Sequence, residues 1–370
     1  MRFLFITATP LNSIEGSGTY VGIETLRVAL RNLGHTVKIL APDFWCPNFV
    51  LRRYLFNFFL PFHPSLSPHQ GERTKVRGVS LQNEGRPFDV VVGFDCDGYC
   101  LKISSSKYVV SIKGVLADEA KQEKGLIRWL LQLQARWELK NVQKAGLVIA
   151  TSQYCKRVIQ ENYGIEPGKI RIIPELIDVE AWRRLLANAS THPQKKGGTV
   201  LTVCRMYPRK NLGVLLRAWR QVKEEEPTAT LRIVGSGQEY RRWVELSRRL
   251  QLGESVIFLG DRTQEELAQE YKNCAIFCLP SRQEGFGIVF LEAMTAAKPI
   301  VAARAGAVPE VVQEGKSGFL ISPDDSEELT KALLHLIREP ELRLEMGKHA
   351  QYSVQRYESV KIVSQFLSLF

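Results

Sequence analysis

The sequence has no apolar run that approaches the roughly 20 residues a membrane-spanning helix needs. It also lacks a C-x-x-C pair, although it contains seven cysteines, at positions 46, 96, 100, 155, 204, 274 and 278. An odd, scattered set of cysteines is typical of buried thiols in a reducing cytoplasm. The two C-x-x-x-C spacings have no histidine nearby, which argues against a zinc site. We therefore expect a cytoplasmic protein without structural metal.

Acidic residues are in the minority, with 39 Asp and Glu against 50 Lys and Arg, so the net charge is +11 and the pI is near 9.3. Excess positive charge favours an anionic partner, such as a diphosphate, an anionic membrane surface or nucleic acid. Since no nucleic-acid-binding module is recognisable, nucleic acid is not expected. A solvated basic surface would account for part of the excess.

The length of 370 residues exceeds one ordinary core and predicts two domains. With 45% hydrophobic and 24% charged residues, the composition is that of a soluble globular protein. Residues 2–11 are apolar, but this stretch is short and has no cleavage pattern. It predicts a first strand rather than a signal peptide.

Residues 2–40 predict a β-α-β unit with a glycine-containing loop after the first strand. The strands are expected at 2–8 and 37–40, the helix at 20–33, and the loop contains Gly16, Ser17 and Gly18. Parallel sheets bind ligands where such loops leave the strand ends. The loop does not match G-x-G-x-x-G, so a nicotinamide dinucleotide is not predicted. Ligand binding and a simple tight turn both account for these three residues.

A second glycine turn lies in residues 281–309. An apolar strand at 275–279 is followed by Gly285, Phe286 and Gly287, and then by helical spacing over 288–297. Such a turn points free backbone amides outward at the positive end of a helix, which suits phosphate.

Two carboxylates flank this turn, Glu284 in the loop and Glu292 in the helix. Carboxylates repel phosphate, so we expect both to accept hydrogen bonds from hydroxyls, one from a sugar ring and one from a ribose. The alternative is two surface glutamates that lie beside a glycine turn by chance.

The full stretch resembles the signature of retaining glycosyltransferases of family four, the glycosyl transferases group 1, which have the GT-B fold. The residues that carry the resemblance are Pro280, Ser281, Glu284, Gly285, Phe286, Gly287, Glu292, Ala293, Met294, Pro299, Gly306, Pro309 and Glu310. The resemblance implies an α/β protein with two Rossmann-like domains whose parallel sheets face each other across a cleft. The implied domains are 1–178 on the acceptor side, 179–352 for the donor, and a C-terminal helix, 353–370, that returns to the first domain.

The same resemblance assigns roles to the turn. Glu284 would bind the hydroxyls of the donor sugar and Glu292 those of the ribose. The backbone at Gly285, Phe286, Gly287, Ile288 and Val289 would bind the donor, with the amides at 286, 287 and 288 on the diphosphate. Further donor contacts are implied for Gly16, Ser17, Gly18, Gly235 and Gly260.

Two cations complete the implied donor site, Arg205 and Lys210. The family usually has G-R-L here with a lysine five residues after the arginine. This chain keeps the two cations at that spacing but has Cys204 and Met206 in place of the flanking residues. Two cations near a helix start suit a diphosphate, because they neutralise the charge that grows on the leaving phosphate. Arg209 is an alternative to either cation.

The loop after the strand at 108–112 departs from the family. Many relatives have a histidine at the position of Lys113, near the reacting carbon, but none of the six histidines of this chain falls in the loop. A protonated lysine is a poor general base. Lys113, Asp118 and Glu119 therefore remain equal candidates for the residue that orients the acceptor or the leaving group.

Asp95 and Asp97 follow the strand at 89–94. Their D-x-D spacing resembles a divalent-metal site of other glycosyltransferases, which have a different fold. GT-B enzymes generally need no metal for the donor phosphate, so no metal is expected. Asp95 or Asp97 could still lie on the acceptor side of the site, because strand ends line the ligand site in such sheets.

Residues 44–62 combine six Phe, one Trp and one Tyr with Arg52 and Arg53. Two interpretations remain open: a helix with an aromatic face packed in the core, or an interfacial element that contacts lipid. The second interpretation would predict that the protein associates peripherally with the cytoplasmic face of the membrane. The amphipathic stretch 126–144 is expected to place its apolar residues in the core.

The sequence thus predicts a retaining hexosyltransferase that uses an NDP-sugar, UDP- or GDP-linked, and requires no cofactor. The acceptor would be a glycan, a lipid or a small molecule, and the aromatic and basic segment favours lipid or a membrane-proximal glycan. The alternatives are a catalytically impaired sugar-nucleotide-binding protein, a GT-B epimerase or phosphorylase, and a membrane-surface adaptor.

Overall fold

A computed structural model describes residues 1–11, 17–42, 49–60, 82–83, 86–191 and 198–370. Within it the chain forms two compact units. The first consists of Met1–Pro174 and Gln365–Phe370, and the second of Glu175–Ser364. The domain limits expected from the sequence, at 178 and 352, stay a prediction.

The first unit is built on a six-stranded sheet in which every neighbouring pair of strands is parallel. Its strands are β1 (Arg2–Ile6), β2 (Thr36–Leu40), β5 (Val90–Phe94), β6 (Tyr108–Ile112), β7 (Leu147–Ala150) and β8 (Ile170–Ile172), and their order is β2-β1-β5-β6-β7-β8. β5 and β6 are buried over their whole length. Continuous apolar strands of this kind are typical of parallel sheets covered on both faces.

Helices connect these strands. They are α1 (Ser17–Asn32), α2 (Phe49–Phe59), α3 (Leu116–Glu119), α4 (Gly125–Lys144) and α5 (Gln153–Tyr163). A short antiparallel pair, β3 (Gln82–Asn83) and β4 (Arg86–Pro87), lies outside the main sheet.

The second unit has its own six-stranded parallel sheet. The strands are β9 (Thr199–Val203), β10 (Thr230–Val234), β11 (Val256–Gly260), β12 (Ile276–Leu279), β13 (Ile300–Ala303) and β14 (Gly318–Ile321), in the order β11-β10-β9-β12-β13-β14. This is the doubly wound arrangement, in which strand order reverses between β9 and β12. Ligands bind at the carboxyl ends of the strands that flank such a reversal.

Helices connect and flank these strands. They are α6 (Val179–Asn188), α7 (Leu212–Glu225), α8 (Tyr240–Arg249), α9 (Gln264–Asn273), α10 (Ile288–Thr295), α11 (Val308–Val311), α12 (Ser326–Arg338), α13 (Pro340–Ser353) and α14 (Ser359–Leu367). The core between them includes Trp219, Tyr271, Phe277 and Phe290, all fully buried. The predicted α/β class with two parallel sheets is confirmed.

The end of α14 belongs to the first unit. The ring of Phe366 lies 5.7 Å from the ring of Phe3 in β1, and the ring of Phe370 lies 6.1 Å from it. Phe366 is 2% exposed, so β1 is covered by residues more than 350 positions further along the chain. In the part of the chain that the structure describes, no helix combines the length and the apolar character needed to cross a bilayer.

Candidate active site

The reversal point of the second sheet brings the predicted donor residues together. β9 is followed by the segment that ends in Lys210, and β12 is followed by the segment that contains Glu284. The Lys210 Nζ lies 2.5 Å from the Glu284 Oε1, although the two residues are 74 positions apart. This pair is the centre of the candidate site.

The Glu284 carboxylate is 4% exposed and is surrounded by cations. Besides Lys210, the Arg209 Nη1 lies 3.7 Å from its Oε2. Burial alone would raise the pKa of Glu284, but Lys210 and Arg209 outweigh that effect and hold the pKa below its usual value. Glu284 is therefore an ionised hydrogen-bond acceptor at neutral pH, as a carboxylate that binds hydroxyls needs to be.

Arg205 contacts residues at two other strand ends. Its Nη1 is 3.4 Å from the Ser236 Oγ and 3.9 Å from the Asp261 Oδ1, and Ser236 in turn donates to Asp261 at 2.6 Å. Lys210 and Arg209 contact Glu284, whereas Arg205 contacts the residues that follow β10 and β11.

Gly235 and Gly260 lie at these two strand ends. The Gly235 amide donates to the Gly260 carbonyl at 2.8 Å. A Cβ on Gly235 would lie 2.0 Å from the Cys204 carbonyl oxygen, so no larger residue fits there. The close approach keeps the segment after β9 against the segment after β10, next to Arg205.

The predicted glycine turn leads directly into α10. Gly287 precedes the helix with a φ of 91°, a left-handed conformation that favours glycine. Because the first-turn amides of a helix have no acceptor within it, the amide of Ile288 is free to be one of the three donors, at 286, 287 and 288, that the sequence predicts for a diphosphate. Phe286 is buried and packs edge-to-face on Tyr357, with ring centroids 5.3 Å apart.

Glu292 lies within α10 and is 6% exposed. Its Oε2 accepts a hydrogen bond from the Tyr271 hydroxyl at 2.8 Å, and no other hydrogen bond from a described residue reaches the carboxylate. Burial raises the pKa of Glu292 to about 7, although the Tyr271 hydrogen bond opposes this. Nothing in the sequence pattern indicated Tyr271 as a partner, because it is 21 positions away on another helix.

Gly306 supports Glu284 from the neighbouring strand end. It has a φ of 59°, and a Cβ there would lie 2.4 Å from the carbonyl oxygen and 2.7 Å from the amide nitrogen of Glu284. The next residue, Ala307, donates its amide to the same carbonyl at 2.9 Å. The turn after β13 therefore fixes the backbone from which Glu284 projects.

In the first unit, Asp97 is fully buried and bound by several donors. Its carboxylate accepts from the Arg53 Nε at 2.8 Å and Nη2 at 2.9 Å, from the Asn57 Nδ2 at 3.0 Å and from the Ala8 amide at 2.7 Å. These contacts join α2 to the ends of β1 and β5. They explain Asp97 as a structural residue, and they place Arg53 in the core rather than at an interface.

Asp95 takes part in the same cluster and also reaches the loop after β6. Its Oδ1 accepts from the Lys113 amide at 2.8 Å, and its Oδ2 lies 3.7 Å from the Arg53 Nη2. Burial raises the pKa of Asp95 to about 6, against the opposing effect of Arg53. Among the described residues, no three His, Cys, Asp or Glu side chains are grouped so that they would hold a metal ion.

Three residues are candidates for the role of the histidine that many relatives have in this loop, and their surroundings differ. Lys113 is partly exposed, with its Nζ 5.8 Å from the centre of the Phe94 ring. Asp118 is 7% exposed and accepts from the Tyr154 hydroxyl at 2.5 Å. Glu119 is partly exposed. Lys113 and Glu119 are thus partly exposed on this loop, whereas Asp118 is buried.

The N-terminal glycine loop is described only in part. Gly16 and the side chain of Ser17 lie outside the described residues, while Gly18 is exposed in the first turn of α1. The roles expected for these three residues stay predictions.

The aromatic segment is described from residue 49 to residue 60, and its remaining residues lie outside the described part. Within α2, Phe56 is 5% exposed and packs in the core, whereas Phe58 and Phe59 are 50% and 56% exposed. In α4, the expectation that the apolar residues form core is wrong for the first turn. Leu126 is 70% exposed and Trp129 is 59% exposed.

Two family models match the chain. One, described as "Glycosyl transferases group 1", matches residues 186–352. The other, described as "Glycosyltransferase Family 4", matches residues 16–181. The first covers β9 to β14 with the Glu284 site, and the second covers most of the first unit.

Curated proteins of similar sequence are glycosyltransferases. The D-inositol 3-phosphate glycosyltransferase of Corynebacterium jeikeium is 30% identical over 226 residues, which cover 58% of this chain and 54% of that protein. A Haemophilus influenzae protein named "Uncharacterized glycosyltransferase" is 34% identical over 169 residues, which cover 45% and 47%. The chain therefore spans about half the length of the curated relatives it matches.

A solved structure matches the whole chain. Sucrose-phosphate synthase from Thermosynechococcus elongatus aligns with a TM-score of 0.78 over 100% of this chain and 98% of that chain, at 19% sequence identity. This likeness confirms the GT-B fold expected from the sequence. Because family models match both halves of a chain with this fold, the chain belongs to the group 1 glycosyltransferases.

Proposed function

We propose that the chain transfers a hexosyl unit from a nucleoside diphosphate sugar to an acceptor hydroxyl, with retention at the anomeric carbon. The observation that carries this proposal is the buried pair of Glu284 and Lys210, which lies at the reversal point of a doubly wound sheet and directly precedes the glycine turn of α10. A sugar diphosphate requires a carboxylate that accepts hydrogen bonds from the sugar hydroxyls. It also requires a cation and a helix N-terminus that bind the diphosphate.

Each group has a proposed part in donor binding. Glu284 accepts hydrogen bonds from the hexose hydroxyls, and Glu292 accepts them from the ribose. Lys210 moves from Glu284 towards the diphosphate, together with Arg205 or Arg209, and the amides at 286, 287 and 288 bind the same phosphate. Gly235 and Gly260 provide the backbone near the base.

In the reaction, the bond between the anomeric carbon and the phosphate oxygen breaks, and a bond from the acceptor oxygen to that carbon forms. The acceptor proton passes to the leaving phosphate on the same face of the sugar, so configuration is retained. Lys210 and the helix amides stabilise the charge on the leaving group. The loop at 113–119, with Lys113, Asp118 and Glu119, serves the acceptor.

We propose a UDP- or GDP-linked donor and no requirement for a metal ion. A structure of HepE from Anabaena, solved in complex with UDP and glucose, matches this chain with a TM-score of 0.68 at 20% identity, over 100% of this chain and 99% of that chain. Lys210 and Arg209, which both contact Glu284, and Arg205 are the cations proposed to neutralise the diphosphate without a metal. The hydrogen bonds of Asp97 to Arg53 leave that carboxylate poorly suited to a cation.

The decisive experiment is a thermal-shift and donor-hydrolysis screen across UDP-, GDP- and ADP-sugars, with and without EDTA. We expect one nucleotide to stabilise the protein and to be hydrolysed slowly, with no effect of EDTA. Turnover that EDTA abolishes would overturn the metal-independent mechanism. Stabilisation with no hydrolysis in the presence of any acceptor would favour a catalytically impaired binding protein. No response to any sugar nucleotide would refute the proposed donor site.

We further propose that the first unit contacts an anionic membrane surface, which fits a lipid-linked acceptor. α2 and α4 are neighbours, since the rings of Tyr54 and Trp137 lie 5.7 Å apart. Both helices expose large apolar side chains: Leu51, Tyr54, Phe58, Phe59, Leu126, Ile127 and Trp129 are each at least 40% exposed. The only carboxylate in the two helices is the buried Glu138, while α4 exposes Arg128, Arg136 and Lys140.

Vesicle co-sedimentation tests this contact. We expect binding to phosphatidylglycerol vesicles that weakens with salt, and little binding to phosphatidylcholine, because the attraction is partly electrostatic. The double variant L126S/W129S should lose the binding. The matched control, L344S/Y352S, changes two side chains that are 60% and 81% exposed on α13 and should bind as wild type. Equal binding by both variants would rule out this face.

A further inference from the structure

We propose that Glu138 and Tyr163 are positioning residues, which hold the loop at 113–119 in place for transfer. The inference rests on the proposed function, because it assigns that loop to the acceptor. Neither residue lies near the loop in the sequence: Glu138 is in α4 and Tyr163 is the last residue of α5.

The two side chains bind the start of α3, which is the second half of the loop. The Glu138 Oε2 accepts from the Leu116 amide at 3.0 Å, and the Tyr163 oxygen accepts from the Ala117 amide at 3.3 Å. The Tyr163 hydroxyl donates to the same Glu138 oxygen. The next two amides, of Asp118 and Glu119, both donate to the Val115 carbonyl at 3.0 Å.

These bonds account for the amides that open α3, so this short helix does not present free donors to a ligand. The loop is also fixed at its first residue, because the Lys113 amide donates to Asp95. Side chains from three separate elements therefore hold three backbone amides of a seven-residue loop. The side chains of Lys113 and Glu119 remain partly exposed above this support.

Glu138 is fully buried, and its hydrogen bonds are directed at this loop and at Tyr163. Its other oxygen, Oε1, has no hydrogen-bond partner among the described residues. Burial raises the pKa of Glu138 well above its ordinary value. A neutral side chain of the same shape should therefore serve as well, because the loop needs only an acceptor oxygen at this place.

Correct placement of such a loop has a direct effect on turnover. A misplacement of about 1 Å far from the reacting atoms reduces the rate by about 100-fold. Donor binding should be unaffected, because the charged residues proposed to bind the donor, from Arg205 to Glu292, lie in the second unit. The expected signature is a loss in kcat without a change in nucleotide affinity.

The test compares four variants, using the donor identified by the nucleotide screen. E138L removes the acceptor, E138Q keeps one, and Y163F removes the hydroxyl while keeping the ring. Y108F is the matched control, because the Tyr108 side chain is also buried in the same unit, but its hydroxyl lies 2.7 Å from the Asn141 Oδ1 and 3.2 Å from the Asp97 carbonyl oxygen, outside the loop. For each variant we would measure kcat, the nucleotide Kd and amide exchange over residues 113–119.

We expect E138L and Y163F to lose at least about tenfold in kcat with an unchanged nucleotide Kd. Both should also exchange the loop amides faster. E138Q should keep kcat within about twofold of wild type, since it retains an acceptor oxygen. Y108F should lose stability but keep kcat and loop protection.

Wild-type kcat in Y163F and E138L, or an equal loss of kcat in Y108F, would overturn the positioning role. If E138L fails to fold, Y163F and E138Q still decide the question. Failure of the proposed function looks different, because wild type itself would then neither bind nor hydrolyse any sugar nucleotide.

Discussion

Glu284 and Lys210 neutralise each other inside the second unit, and this has a consequence for ligand binding. Their side chains are 6% and 11% exposed, and the atoms are in direct contact. In the proposed donor complex, a diphosphate that draws Lys210 away leaves Glu284 in need of another partner, and the sugar hydroxyls would supply it. On this proposal, the diphosphate and the sugar of one ligand each bind one residue of the pair.

The substitution E284Q tests this residue. It keeps the size and one acceptor oxygen but removes the charge, so we expect kcat/KM to fall by about 100-fold, as loss of several kcal/mol of transition-state binding implies. Donor-hydrolysis kinetics measure the effect. The control is E327Q, at an exposed Lys331 pair on α12, where little change is expected. Near-normal activity in E284Q would reject the assignment of Glu284.

The raised pKa of Glu292 predicts that the stability of the protein depends on pH. Its pKa is about 7 in the folded protein against an ordinary value of 4.5. Between these values the folded protein binds more protons than the unfolded chain, so the free energy of unfolding falls as the pH rises. The loss would reach up to about 3 kcal/mol by pH 7.5.

E292Q should lack this loss. Urea denaturation of wild type and E292Q should agree near pH 5 and separate as the pH approaches 7.5, with E292Q the more stable. Asp95 titrates in the same direction in both proteins, so the difference between them isolates Glu292. Parallel stability curves over this range would show that Glu292 is not a buried acid of this kind.

Sequence patterns predicted that Glu284 and Lys210 belong to one site, but they did not predict the contacts of every charged residue there. Glu284 and Lys210 were predictable because each follows an apolar strand, and the carboxyl ends of parallel strands meet at one edge. The contact of Arg205 with Asp261 was not, because nothing local indicates which of two neighbouring strand ends a long side chain will approach. The same reason applies to Arg53, whose partner Asp97 is 44 positions away.

Among the connecting segments, the turn after β13 is in direct contact with the backbone of Glu284. Gly306 is in contact with the Glu284 backbone, whereas Gly315, also in a left-handed conformation, has no atom within 4 Å of its Cβ position. Substitutions at these two glycines can therefore be compared to separate the effect of left-handed backbone strain from the effect of contact with Glu284.

We expect G306A and G315A each to lose about 1–2 kcal/mol of stability from the left-handed backbone. Only G306A should also weaken nucleotide-induced thermal stabilisation and reduce turnover by at least about tenfold, because the new methyl group displaces Glu284. Thermal-shift titration and hydrolysis assays measure both effects. Equal nucleotide binding in the two variants would show that the turn does not position Glu284.

Strands were more predictable than helix surfaces. A short apolar run flanked by turn residues identifies a buried parallel strand, and β5, β6 and β12 lie where such runs occur. Helical spacing in α4 identifies an apolar face, but it does not reveal whether another element covers that face. Trp137 is covered by Tyr54 and Tyr99, while Trp129 two turns earlier is exposed.

For the molecule as a whole, the chain completes its first unit with its last residues. Gln365–Phe370 belongs to the same unit as Met1–Pro174, so that unit combines residues from two distant parts of the sequence. Contacts between residues so far apart in the sequence slow folding. It also makes the N-terminal strand depend on C-terminal side chains.

This dependence can be measured with Phe366 and Phe370, which both contact Phe3 but differ in burial, at 2% and 44% exposed. We expect F366A to lose roughly 3–5 kcal/mol, because it leaves a cavity beside β1, and F370A to lose clearly less. Amide exchange should therefore quicken in β1 in F366A, while β9 and β12 of the second unit keep wild-type protection. Equal exchange in the two variants, or an effect confined to the second unit, would show that β1 does not rely on the C-terminal residues for its stability.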